Sequence, residues 1–360
     1  MPQQTLHVLL TGATGFVGGT ILSTLCKAHP EAHVKALVRR EEDAKHLRSI
    51  HHNLEPVLGS LSDLELLRRT AASVDFVIHA TKEDLAAVRA LIDGLASTFS
   101  NGPPTPRLIS ISGIRSLIDR SLPVTGIASE DGRPWSDIQD ISTILSLPKE
   151  RIHAEADQST MAHASASGVG AMIVGAPQLW GRGKGHVKTE GAAATAYYAA
   201  VRKRGRAFVI GDGSVAWSWS SIGDLGAAVV FLLERALLDD GASHRVGVNE
   251  DGYYFVRSDE VKMIDRAKAV SKRLGLGEVE SVAVEVTAEL HPFGPLMWGC
   301  GVTTRPDRLT ALGWIPKELD WEMLMEESIR FVVMHNEYAH QSLSKLRGSK
   351  TFSCGFSKSQ

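Results

Sequence analysis

Short apolar runs alternate with amphipathic stretches through the first half of the chain. Leu6, Val8, Leu9 and Leu10 make a run that stops at Thr11-Gly12, which predicts a buried strand; helical spacing begins soon after at Ile21, Leu22 and Leu25. The alternation continues with a strand at 33–38, a helix at 41–50, a short strand at 55–59, a helix opened by Asp63 and an apolar strand at 74–80. Asp84 is placed to cap a helix whose apolar face is Leu85, Val88, Leu91, Ile92, Leu95 and Phe99. After a loop at 101–106 come a strand at 107–111, a long helix from about 149 to 166 and a sixth strand at 168–175. This pattern predicts an α/β fold, a doubly wound parallel sheet with helices on both faces, whose ligands bind at the carboxyl ends of the strands.

The second half is less regular. It reads as a Gly- and Lys-rich loop at 181–188, an alanine-rich helix at 191–201 and a short strand at 207–210. A helix opened by Asp224 follows, then one opened by Ser258 or Asp259 that runs through Val270, and a last amphipathic helix at 319–334. Trp180, His186, Trp217, Trp219 and Trp298 fall on predicted loops, where indoles serve mostly as packing and in part as pocket lining. Arg202-Lys203-Arg204-Gly205-Arg206 reads as a solvated helix end.

Glycines at 12, 15 and 18 sit between the first strand and the first helix. Chemistry that grips a dinucleotide pyrophosphate needs this arrangement. Gly12 permits the turn, Gly15 lets backbone N–H groups approach the phosphates, and Gly18 lets the helix pack on the strand. The helix N-terminus adds its positive dipole. The predicted division is therefore a dinucleotide-binding domain at 1–178, a mainly substrate-binding region at 179–345 interleaved with the last elements of the sheet, and a disordered tail at 346–360.

Composition narrows the function classes. The 360 residues are 43% hydrophobic and 22% charged with a net charge of −2, so no basic field invites nucleic acid or an anionic membrane. Three scattered cysteines form no metal-binding or disulfide pattern, and none of the 14 histidines sits in a metal-ligand motif, so no metal is expected. With no leader pattern and no long apolar run, a cytoplasmic protein without a membrane anchor is expected.

The second strand ends Leu37-Val38-Arg39-Arg40, where an acid would bind the adenosine ribose of NAD. Arg39 and Arg40 favour the 2′-phosphate of NADP instead, because a guanidinium grips phosphate well.

Several segments, in order, resemble an extended short-chain dehydrogenase/reductase of the NAD-dependent epimerase/dehydratase type. They are Thr11-Gly12-Ala13-Thr14-Gly15-Phe16-Val17-Gly18, Gly59-Ser60-Leu61-Ser62-Asp63, His79-Ala80-Thr81 and Ile109-Ser110-Ile111-Ser112-Gly113. Gly175-Ala176-Pro177-Gln178-Leu179-Trp180-Gly181, Trp219-Ser220-Ser221-Ile222-Gly223-Asp224-Leu225 and the stretch from Arg305 through Leu312-Gly313-Trp314-Ile315-Pro316 complete the series. The resemblance implies a Rossmann-type fold. It also implies cofactor contacts at Thr14, Phe16, Val17, Ser60, Leu61, Ala80, Thr81, Ser110, Ala176 and Pro177, besides the three glycines, Arg39 and Arg40.

That family's chemistry uses a helix-borne Tyr with a Lys four residues on, plus a Ser that orients the substrate carbonyl. Ser112 matches the Ser. None of the five tyrosines (Tyr197, Tyr198, Tyr253, Tyr254 and Tyr338) precedes a Lys by four residues. Setting Glu155 at the family's following Glu aligns Arg151 with the Lys and Leu147 with the Tyr. In that register Arg151 holds the nicotinamide ribose but releases no proton. A replacement acid is sought in His153, in Glu130 or Asp131, or in a substrate hydroxyl or water.

The expected activity is NADP(H)-dependent redox chemistry on the carbonyl or alcohol of a small, weakly charged metabolite. The rival readings are a non-redox isomerase, cyclase or dehydratase on the same fold, and an NADP-sensing, NmrA-like binding protein. The resemblance further implies a homodimer through the helices at 85–99 and 149–166.

Overall fold

The computed structural model describes residues 5–50, 52–97, 107–128, 132–238 and 246–334. The first half runs β1 (His7–Thr11), α1 (Phe16–Ala28), β2 (His33–Val38), α2 (Glu41–Ile50), β3 (Leu54–Leu58), α3 (Leu64–Ala71), β4 (Phe76–His79), α4 (Leu85–Ser97) and β5 (Arg107–Gly113). A 3-10 turn (Ile114–Leu117), the short β6 (Trp135–Ser136) and the single turn α5 (Ile141–Ile144) lead to α6 (Ala154–Ala166) and β7 (Gly170–Ala176).

The rest comprises β8 (Gln178–Trp180), α7 (Ala192–Arg204), β9 (Phe208–Ile210), β10 (Ala216–Ser221), α8 (Ile222–Leu237), β11 (Tyr253–Phe255), β12 (Asp259–Lys262) and α9 (Met263–Leu274). It closes with β13 (Glu280–Val282), α10 (Val284–Leu290), α11 (Gly294–Gly299), β14 (Thr304–Arg305), α12 (Asp307–Ala311) and α13 (Trp321–Met334).

Seven strands form one parallel sheet in the order β11-β7-β5-β4-β1-β2-β3. The fold is α/β: a Rossmann-type doubly wound parallel sheet with a smaller C-terminal region. Alternate residues of its central strands feed two cores. Leu9, Val77, Leu108 and Ile173 pack with Leu67, Leu91 and Met161 of α3, α4 and α6. Val8, Leu10, Ile78, Ile109 and Val174 pack with Ile21, Leu47 and Leu225 of α1, α2 and α8 on the other face. A strand covered on both faces is buried throughout, as β4 is, with Phe76, Val77 and Ile78 apolar and only His79, at its carboxyl end, polar. Smaller sheets, β12-β10-β8, β13-β9 and β14-β6, build the C-terminal region.

Asp84 caps α4 by accepting the Ala87 N–H at 3.1 Å. Asp224 does not open α8. Ser221 does, accepting the Asp224 N–H at 2.7 Å. Asp224 is buried one turn in and accepts the N–H groups of Lys317 and Glu318 at 3.0 and 2.9 Å. It thereby ties the Trp314-Ile315-Pro316 stretch to α8, so two of the sequence motifs are halves of one clamp.

Three other expectations fail. Residues 259–262 are a strand, because Val261 alternates inward opposite Trp217 of β10, and the helix starts only at Met263. The long helix expected from 149 begins at Ala154, because His153 adopts a left-handed backbone (φ 74°) that a right-handed helix cannot continue. The indoles of Trp180, Trp217, Trp219 and Trp298 belong to β8, β10 and α11 and are buried packing; His186 alone stays exposed on a loop. Phe99, the loop at 101–106, Glu130, Asp131 and the tail at 346–360 lie outside the described residues. No helix among the described residues is long and apolar enough to cross a membrane.

Candidate active site

Gly12 takes φ +80°, and a Cβ there would lie 2.2 Å from the Ala80 carbonyl oxygen at the end of β4. A Cβ on Gly18 would lie 2.2 Å from the Gly12 carbonyl oxygen. Both positions therefore exclude any side chain. At Gly15 a Cβ would meet only the Gly12 oxygen, at 3.2 Å, so the turn is open on that side. Helix α1 starts there with neither an acidic first turn nor a side-chain cap. Its free N–H groups and positive dipole end suit a diphosphate. Thr14, Phe16 and Val17 stand half-buried around the turn. The residues present fit a dinucleotide.

At the carboxyl end of β2, Arg39 and Arg40 are both exposed. Arg40 is held bidentately by Asp43, with Nε and Nη2 each 2.8 Å from a carboxylate oxygen. The first turn of α2 is acidic throughout (Glu41, Glu42 and Asp43). Ser60 shapes the turn after β3: its N–H and hydroxyl both donate to Asp63, at 2.6 and 3.0 Å, and Leu61 is half-buried beside it.

The other end of the crevice lies past β4 and β5. A narrow cleft there is lined by His79, Thr81, Glu83, Asp84, Ser110, Ser112 and Asp157. His79 is clasped by two hydroxyls, Thr11 at 2.9 Å and Thr81 at 3.1 Å, and burial lowers its pKa to about 4. The Ser112 hydroxyl donates to Asp157 Oδ2 at 2.9 Å, and the Tyr253 hydroxyl donates to the same oxygen at 3.2 Å.

Tyr253 belongs to β11, two strands away from β5. Its ring crosses the intervening β7 because residue 175, paired with Ser112, is a glycine: a Cβ there would lie 3.0 Å from the ring. Burial pushes the Asp157 carboxyl up to about 7, against the opposing effect of its two hydroxyl partners. Burial also holds the Tyr253 phenol well above its usual range, with the Asp157 charge adding to it.

His153 sits at the head of α6 with Nδ1 on the Glu83 carboxylate. Its Nε2 is buried without a hydrogen-bond partner and faces Gly113, where a Cβ would lie 2.9 Å away. Burial lowers the imidazole's pKa to about 4.

The structure thus places Ser112 at the end of β5 and the His153 ring against its neighbour Gly113, with Ser110 buried one pleat behind, Ala176 ending β7 and Pro177 just past it. It does not bring Arg151 there. Arg151 lies before the helix, and its guanidinium pairs with Asp119 at 2.9 Å. Leu147 is packed in the core, and Lys149 and Glu155 are exposed. Asp157, Tyr253 and Glu83 were missed. The one available signal was that Asp157 follows His153 by four residues, the same helical spacing sought for Tyr and Lys.

Fold and cradle together define a dinucleotide-binding α/β protein. A family model described as NAD(P)H-binding matches residues 12–126. Oxidase ucsJ of an Acremonium species is 30% identical over 329 residues, covering 87% of this chain and 93% of that protein. Among solved structures, a nucleoside-diphosphate-sugar epimerase from Pseudomonas aeruginosa aligns over 92% of this chain and 98% of its own, with 15% identity and a TM-score of 0.64. DesIV, a dTDP-glucose 4,6-dehydratase from Streptomyces venezuelae solved with NAD and TYD bound, covers the same shares at 14% identity and TM-score 0.64. The chain belongs to the extended short-chain dehydrogenase/reductase family, of the NAD-dependent epimerase/dehydratase type.

Proposed function

We propose that the protein is an NADP(H)-dependent oxidoreductase that interconverts a carbonyl and an alcohol on a small, weakly charged metabolite, with a Ser112–Asp157 relay in place of the family's tyrosine. The observation that carries this reading is the 2.9 Å hydrogen bond between Ser112, at the end of β5, and a buried carboxyl that titrates near neutrality. The cofactor, when bound, supplies hydride exchange at the substrate carbon. The chain supplies the proton. With Asp157 protonated, its O–H donates to Ser112 Oγ, and the Ser112 O–H is released to the carbonyl oxygen. Tyr253 then steadies the new carboxylate through its own hydrogen bond.

His153 is the competing donor. In the tautomer that donates Nδ1–H to Glu83, its Nε2 is an acceptor, and a group with a pKa of about 4 holds little proton near neutrality. It suits a base for alcohol oxidation, and Asp157 suits the acid for reduction.

On the cofactor's other end, Arg39 is the contact for a 2′-phosphate, because Asp43 already engages Arg40. Beyond β7, the buried Arg266 stacks on Tyr197 and Trp180 at 4.2 and 5.1 Å, and its Nε and the Trp180 Nε1 lack acceptors.

A non-redox isomerase or dehydratase is favoured by one observation: among the described residues no lysine or arginine lines the cleft. The test is a fluorescence titration with NADPH, then loss of reduced-nicotinamide absorbance against a panel of carbonyl metabolites. Oxidation that disappears in Asp157→Asn supports the relay. Substrate turnover without net NADPH loss supports the non-redox reading. NADPH binding with no turnover on any candidate would sink both in favour of a sensor.

A further inference from the structure

The cleft beneath the nicotinamide end has acidic walls and no counter-charge. Glu83, Asp84 and Asp157 line it, and among the described residues no lysine or arginine does. Two of the three acids are engaged locally, Glu83 by His153 and Asp84 by the α4 amide that it caps. Asp157 has only neutral partners, the hydroxyls of Ser112 and Tyr253, and both bind Oδ2.

The titratable groups around Asp157 come from every neighbouring element. They are Tyr253 from β11, His79 from β4, Glu83 and Asp84 from the turn before α4, and His153 at the head of its own helix. Farther along, Asp93 of α4 is taken by His163 at 2.7 Å, and Asp251, in a second 3-10 turn (Asn249–Asp251) packed on α6, by Arg308 at 2.9 Å. None of these is a free cation. A desolvated carboxyl with neutral partners keeps its proton until a positive charge arrives. The oxidised nicotinamide ring carries a formal positive charge, and the reduced ring carries none.

We propose that Asp157 couples its proton to the oxidation state of the cofactor, ionising opposite the oxidised ring and staying protonated opposite the reduced one. This rests on reading the crevice as the nicotinamide site. It also closes the charge balance of the proposed reaction. In reduction the carbonyl carbon gains a hydride from NADPH and its oxygen gains the Ser112 proton, which Asp157 replaces. The products are alcohol, NADP⁺ and an Asp157 carboxylate, so negative charge appears on the carboxyl as positive charge appears on the ring. The same residue thereby selects the oxidised cofactor in binding, without any substrate present.

The test is calorimetric titration of the full chain with NADP⁺ and with NADPH, at about pH 6.5, in two buffers of different ionisation enthalpy, which counts protons released. NADP⁺ is expected to expel half a proton or more and NADPH almost none, with NADP⁺ binding about tenfold tighter relative to the Asp157→Asn background. Asn retains an acceptor oxygen for both hydroxyls, so the variant keeps the local packing. It is expected to erase both the proton release and the preference.

Tyr253→Phe keeps the carboxyl and is expected to retain proton release, which separates the charge from the network's shape. NADP⁺ binding without proton release, or unchanged release in Asp157→Asn, overturns the coupling and leaves the cofactor site intact. Failure of both nucleotides to bind overturns the site itself, and the coupling with it.

Discussion

The two ends of the crevice are built by opposite means. The pyrophosphate end is local: residues 12–18 are consecutive, and each glycine is required by a carbonyl within 2.2 Å or by an open approach. The proposed nicotinamide end is assembled from β4, β5, β11, the turn before α4 and the head of α6, and its key contact spans Ser112, Asp157 and Tyr253. A local cradle binds any dinucleotide in much the same way. A site gathered from five places can exchange its parts while the sheet stays fixed, and here it holds a carboxyl–hydroxyl network of Ser112, Asp157 and Tyr253. Fold and cradle accordingly define the family, and the chemistry rests on the second site.

The sharpest separation of the two ends comes from breaking the first. Gly12→Val puts a branched side chain on a left-handed backbone and against the Ala80 carbonyl. Binding of NADPH, read by nicotinamide fluorescence, is expected to weaken more than about 100-fold, and the melting temperature to lose its dependence on added nucleotide. Retained affinity would mean that the crevice is not the nucleotide site.

Breaking the second end should leave the first alone. Ser112→Ala removes the hydroxyl between Asp157 and substrate, so turnover is expected to fall about 100-fold while NADPH affinity stays within about twofold. Equal losses in both quantities would mean that Ser112 holds the cofactor instead of relaying a proton.

The same network has a stability signature that requires no substrate. The Asp157 carboxyl is raised to about 7 in the folded chain from an ordinary value of 3.8. Between those values the unfolded chain has lost the proton and the folded chain has kept it. The native state therefore binds more protons, and stability falls as pH rises through that window. Asp137, raised to about 7 by burial, contributes in the same direction. Asp157→Asn is expected to be more stable than the parent above pH 7 by about 2 to 4 kcal/mol, and to differ little near pH 4. Denaturant melts at the two pH values check it; parallel curves would place the carboxyl in contact with solvent.

How much of this could be read from the chain follows the same division. The strand–glycine–helix unit was legible because period, turn and helix start lie within a dozen residues. The Ser112 position was legible from its strand. The helix of the catalytic pair was misplaced because nothing in residues 147–153 announces a left-handed His153; only the packing of its ring over Gly113 fixes that conformation. Tyr253 was out of reach because its partnership with Asp157, which also holds Ser112, depends on the bare Cα of Gly175 on the intervening β7 and on a long-range parallel pairing. Asp224 seemed a helix cap for a similar reason: the Lys317 and Glu318 amides that it binds are about ninety residues away.

The smallest expected effect tests the adenosine side of the cradle. Arg39 and Arg40 are adjacent and chemically identical, yet Asp43 engages only Arg40. If Arg39 grips the 2′-phosphate, Arg39→Ala weakens NADPH about tenfold and leaves NADH unchanged, because only NADPH carries that phosphate. Arg40→Ala is expected to weaken NADPH only about twofold, through the Asp43 charge that it leaves uncompensated. Asp43→Ala separates the two arginines further. It releases a second guanidinium and removes one of three acids from the first turn of α2, so NADPH affinity should rise and NADH affinity should not. A parallel rise for both nucleotides would show that the acidic turn acts on the dinucleotide as a whole, and that neither arginine selects the phosphate.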